Sequence, residues 1–89
     1  MRITTDQLVL ELMAARSGTT LLAREVKDIL RETYNRGASA KSISKTLILL
    51  DEDYPMMNRR ETTNPEKALY NCRYIYAWAK FDPETGEVA

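Results

Sequence analysis

The chain has 89 residues, 44% of them hydrophobic and 29% charged, and its 13 basic and 13 acidic residues cancel. That describes one small domain, too short to enclose a deep, water-excluding active site and too evenly charged for a charge-driven disordered chain. With no histidine and a single cysteine, Cys72, it lacks the donors for a zinc finger, a Cys/His nucleophile pair, a histidine general base or a disulfide framework.

Taken in chain order, the first element announces itself by its start. Thr4 and Gln7 have the spacing of a capping box, and Ile3 and Leu8 flank them as a hydrophobic staple. Leu8, Leu12 and Ala15 follow at helical spacing with Val9 and Met13 beside them, and Gly18 supplies a left-handed stop. This predicts a helix over 5–17. Thr19-Thr20-Leu21-Leu22 reads as a brief strand or as the approach to a second helix. That helix, over 23–34, turns Leu22, Val26, Ile29, Leu30 and Thr33 inward. Its outer face separates into a basic stripe (Arg24, Lys27, Arg31) and an acidic one (Glu25, Asp28, Glu32), for which the plain reading is a solvated face with local ion pairs. Asn35-Arg36-Gly37 ends it.

Ser39 is placed to cap a third helix over 40–53, with Ile43, Leu47 and Leu50 facing the core. Its other side carries Lys41, Ser42, Ser44 and Lys45. Serine is an indifferent helix former because its hydroxyl competes for nearby backbone groups. A face of Ser and Lys suits hydrogen bonding to something outside the protein, with a merely tolerated surface as the equal alternative. Tyr54-Pro55 then breaks the helix. Residues 56–61 read as a strand, Thr62-Thr63-Asn64-Pro65-Glu66 as a turn, and 69–78 as a second strand with Tyr70, Tyr74, Tyr76 and Trp78 on one parity. Together they make a β-hairpin. The alternative is that Asn64 caps a short helix with Pro65 at its first position. Residues 81–89 are acidic and aperiodic and predict a flexible, frayed tail. The fold expected is a mostly α domain over 1–80 with a small β-hairpin.

The N-terminal MRITTDQ has no apolar stretch of the secretory-leader kind, and no apolar run approaches the ~20 residues of a membrane span. One free thiol suits a reducing compartment. The expectation is a cytoplasmic protein with no membrane partner.

Several segments carry a resemblance. Leu22-Ala23-Arg24-Glu25-Val26 looks like the start of a first motif helix, Gly37-Ala38-Ser39 like an inter-helix turn, and Lys41-Ser42-Ile43-Ser44-Lys45-Thr46-Leu47 like a recognition helix. Arg73-Tyr74-Ile75-Tyr76-Ala77-Trp78 looks like a closing wing strand. In these pieces the chain resembles the three-helix winged helix-turn-helix domains of bacterial and phage regulators. It departs from their pattern in a long hairpin without a glycine tip and in Asp53-Tyr54-Pro55 after the third helix. The resemblance implies sequence-specific binding of double-stranded DNA in transcription regulation, and the sequence, which offers no carboxylate pair, metal set or phosphate-cradling glycine loop, predicts no enzyme activity, cofactor or metal. The resemblance also implies base readout by Lys41, Ser42, Ser44 and Lys45 and phosphate contacts from Arg24, Arg36, Arg59, Arg60 and Lys67.

The charge distribution agrees with that expectation although the total does not. Arg36, Lys41 and Lys45 stand with no acid among them, Asp51-Glu52-Asp53 follow, residues 54–80 are net basic, and Asp82, Glu84 and Glu87 close the chain. The opposing expectation is a winged-helix docking module, an adaptor or inhibitor of a host or phage protein, that does not touch DNA; Ile48, Leu49 and Met56-Met57 would supply its apolar surface. A homodimer is expected, with Tyr70, Tyr76 and Trp78 at its interface, since such residue types anchor interfaces; roofing the core is their other use.

Overall fold

The computed structural model describes residues 3–89; Met1 and Arg2, part of the N-terminal stretch expected not to be a secretory leader, lie outside the described residues. The order is α1 (Thr5–Ala15), β1 (Thr20–Leu21), α2 (Ala23–Tyr34), α3 (Ala40–Asp53), β2 (Met57–Glu61), α4 (Asn64–Tyr70) and β3 (Tyr74–Trp78). It is a small, mostly helical domain of four helices and one three-stranded antiparallel sheet.

Local chemistry explains the helix starts. Thr4 Oγ1 accepts from the Gln7 amide and Gln7 Oε1 accepts from the Thr4 amide, the reciprocal box that satisfies two orphan donors. α1 stops at Ala15, two residues before the expected end, and Gly18 takes φ +83° in the turn. Glu25 reaches back to the Leu22 amide at 2.9 Å to open α2, and Asn35 closes it in the left-handed region at φ 51°. Ser39 Oγ accepts from the Ser42 amide at 3.1 Å to open α3.

The three long helices bury Leu8, Val9, Leu12, Met13, Val26, Leu30, Ile43, Leu47 and Leu50 against one face of the sheet, to which Leu21, Met57 and Tyr76 contribute. Of the residues expected inside, Ile29 is only partly buried at the edge of this core and Thr33 is exposed. Thr46 is a buried polar residue whose hydroxyl donates to Asp6 Oδ1 at 3.0 Å, fastening α3 to the first turn of α1.

Strand order is β1-β3-β2, so β3 lies in the middle. Leu21 pairs with Tyr76, Arg59 with Tyr76 and Met57 with Trp78. The period-two aromatics therefore mark the helix-facing side of the central strand. That strand starts at Tyr74, not Leu69, and Tyr70 sits on α4.

The simple hairpin is corrected by α4, which interrupts it. The cap is Thr63, one residue before the Asn64 considered above. Thr63 and Glu66 form a full capping box, Pro65 lies in the first turn, and Asn71 ends the helix at φ 52°. Buried Thr62 holds the base of this excursion: its hydroxyl donates to the Cys72 carbonyl at 2.6 Å and its amide to the Arg73 carbonyl at 2.9 Å.

The residues expected to form a flexible tail have contacts of their own. Residues 81–89 close on themselves through a Phe81–Val88 bridge and amide bonds from Asp82 to the Glu87 carbonyl and from Gly86 to the Asp82 carbonyl. Arg60 Nε donates to the Gly86 carbonyl, and its guanidinium lies 5.6 Å from the Phe81 ring centre. Composition alone missed this because the anchor, Arg60, lies more than twenty residues away in sequence. Among the described residues no helix is long and apolar enough to cross a membrane.

Candidate functional site

α3 is amphipathic with its core line on one side, so its remaining residues are sorted outward. Lys41, Ser42 and Lys45 are exposed on its N-terminal half, and Ser44 is half-exposed on the flank turned toward β3. The first turn of α3 holds no acid. The free amides of that end and the two ammonium groups thus act in the same direction, favouring anions. The acids of this helix, Asp51, Glu52 and Asp53, lie about two to three turns further on, at the opposite end.

Beside this face runs a groove of about 480 Å³, walled by the start of α2, the flank of α3 and the chain from Asn71 to Tyr74. Its floor is Ala23, Ile48 and Tyr74; Arg24, Lys41 and Arg73 stand around it, and no carboxylate lines it. Arg24 donates to the Tyr70 carbonyl at 2.6 Å, the last residue of α4, where a cation meets the negative end of the helix. Arg73 is 73% exposed, with Glu61 at 3.8 Å as a loose surface partner. Both Arg59 and Arg73 lie against the Tyr74 ring, at 5.1 and 5.2 Å from its centre.

The five cations expected at phosphates separate into two groups. Lys67 is exposed on α4, and Arg24 is exposed at the groove. The other three turn their guanidinium groups into the protein. Arg36 donates to Thr5 Oγ1 at 3.2 Å and to the Ile3 carbonyl at 2.9 Å, tying the end of α2 to the start of α1. Arg59 pairs with Asp51 at 2.7 Å, joining β2 to α3. Arg60 makes a forked pair with Glu66 at 2.7 and 2.9 Å.

The proposed interface aromatics separate as well. Tyr76 is 2% exposed and belongs to the core, so it offers no surface to a partner, and burial raises its hydroxyl pKa above the ordinary value. Tyr70 is half-buried on α4, and Trp78 is half-buried with its ring 6.2 Å from that of Tyr54.

Titration follows these pairings. The hydrogen bond from Arg60, with the Thr63 amide, holds the Glu66 carboxyl at about 2. The same contact raises Arg60 further above its ordinary value. Burial outweighs Arg59 at Asp51 and leaves its carboxyl above the usual aspartate value. That ion pair is a weak source of stability despite its short distance, because desolvation opposes it.

Among the described residues no group of three His, Cys, Asp or Glu side chains converges as a metal set. A sequence reading counts Arg73 as one basic charge among several. Only the excursion through α4 and Thr62 brings it back beside α3, which is why the groove was not legible from the chain. No family model matches this sequence, and no curated protein or solved structure is detectably similar to it.

Proposed function

We propose that the protein is a winged-helix domain that binds double-stranded DNA through the outer face of α3, as a small cytoplasmic transcription regulator of the bacterial or phage kind acting as a homodimer. The observation that carries this reading is the acid-free exposed face of Lys41, Ser42 and Lys45. The order of elements supports it in part: a helix, a short strand, two helices, then two strands that pair, although α4 stands between those two strands.

In this reading α3 enters the major groove. Lysine suits the guanine acceptors and serine either partner type, so Lys41, Ser42, Ser44 and Lys45 discriminate bases. Arg24, Lys67 and Arg73 approach phosphates and set register without reading sequence. Arg36, Arg59 and Arg60 leave the DNA list, because their donors are engaged inside the protein.

The test is selection from a random duplex pool, followed by affinity measurements at two salt concentrations. The expected result is an enriched sequence whose affinity falls with salt by about 0.9 log units per log unit for each phosphate neutralised. Lys41→Ala combined with Lys45→Ala should weaken that sequence far more than bulk DNA. Lys67→Ala should weaken both alike. If no duplex is enriched and the double lysine variant binds bulk DNA as well as the parent, the DNA reading is wrong.

A further inference from the structure

The groove beside α3 is poorly suited to a duplex. Double-stranded DNA is convex, with phosphates outside and its bases stacked away. A concavity of about 480 Å³ floored by Ala23, Ile48 and Tyr74 would meet nothing apolar of matching shape there.

We infer that this groove docks an acidic segment of a partner protein, seating the segment's apolar side chains on Ala23, Ile48 and Tyr74 and its carboxylates on Arg24, Lys41 and Arg73. The volume falls in the roughly 300–1,000 Å³ range of clefts that bury a ligand. Charge complementarity selects the occupant. Three cations stand around the apolar floor and no carboxylate among the described residues lines it; Arg24 is bonded to the neutral Tyr70 carbonyl and Arg73 is loosely paired with Glu61 at 3.8 Å, so a basic segment would be repelled while an acidic one brings a carboxylate within reach of each cation. Helix-in-groove recognition needs only this pairing of an apolar line with flanking charge. Arg24 is held in place by the Tyr70 carbonyl, which reduces the ordering that binding requires. The site goes beyond the DNA reading and does not depend on it. Because Lys41 belongs to both surfaces, a docked acidic segment would exclude DNA from α3.

The experiment uses the full chain labelled with nitrogen-15 and a synthetic helical peptide bearing Leu, Phe and Leu on successive turns with glutamate elsewhere. The peptide should bind saturably and shift the amide signals of Ile48, Cys72, Arg73 and Tyr74. Replacing its apolar residues by alanine, or its glutamates by lysine, should each weaken binding at least about tenfold. Arg73→Glu, at a site too exposed to threaten folding, should do the same, as should Ala40→Phe, which places a ring in the groove. Absence of binding, shifts confined to other surfaces, or equal affinity for the alanine peptide would each overturn the proposal. So would a duplex oligonucleotide that produces the groove shifts when the peptide does not, since the groove would then belong to DNA. A peptide that seats while duplex selection fails leaves this site standing and removes the DNA reading instead.

Discussion

At the residue scale, Arg60 shows how a side chain expected at a phosphate is spent inside the fold. Its guanidinium spans β2, the first turn of α4 and the Gly86 carbonyl, so three segments distant in sequence meet on one group. Arg60→Ala should leave DNA affinity unchanged. Hydrogen exchange of the Asp82, Gly86 and Ala89 amides should accelerate, because the C-terminal turn loses its anchor, while amides inside α3 keep their protection. Unchanged exchange at those three amides would show that the turn holds without Arg60. Glu66 adds a pH dependence with a definite sign. Its carboxyl lies near 2 in the folded chain against an ordinary 4.5, so the pair's contribution is whole above about 4.5 and fades as pH falls from there toward 2. Thermal melts between pH 5 and 2.5 should therefore show a smaller loss for Glu66→Gln than for the parent chain. Parallel curves for the two proteins would contradict the assignment.

At the scale of elements, the helices were legible because their signals are local. Thr4 with Gln7 and Ser39 with the Ser42 amide lie within one turn of the bonds they make, and Ile43, Leu47 and Leu50 keep one face by spacing alone. The hairpin was legible only as two strands. The Thr63–Glu66 box is as local as the others, but Asn64-Pro65 reads equally as turn chemistry, and the contacts that decide between them come from Thr62 reaching across to Cys72 and Arg73. The internal partners of three of the expected cations were hidden for the same reason. Arg36, Arg59 and Arg60 are basic in the sequence, yet their partners Ile3, Asp51 and Glu66 are set by tertiary packing. α3 remains the element on which both core and site depend. Leu47 is fully buried, so Leu47→Ala should cost about 2–5 kcal/mol in a denaturant melt through the cavity it leaves. A cost below about 1 kcal/mol would mean that the side chain is not in the core, and that Lys41 and Lys45 do not face outward as described.

At the scale of the whole molecule, the proposed DNA binding would require so small a domain to achieve specificity. One α3 would cover only a short stretch of major groove, and specific affinity in the usual range calls for two half-sites about 34 Å apart. The molecule measures 43 × 26 × 19 Å, dimensions of the same order as that spacing. Burial of Tyr76 takes it out of the proposed dimer surface. Tyr70 on α4 and Trp78 at the end of β3 stay half-buried, and Trp78 has Tyr54 against it and the exposed Met56 nearby, at the far end of α3 from Lys41. A dimer formed there leaves the basic face free and covers apolar area that a lone domain exposes to water. Sedimentation equilibrium at micromolar concentration should give twice the chain mass, and Trp78→Ala should shift the equilibrium toward monomer. Duplex selection should return a two-fold symmetric site with half-sites one helical turn apart. A mass that stays near 10.2 kDa removes the dimer. In that case a single α3 supplies too few base contacts for a regulator's specificity, and the acidic-peptide groove becomes the better account of what this small domain recognises.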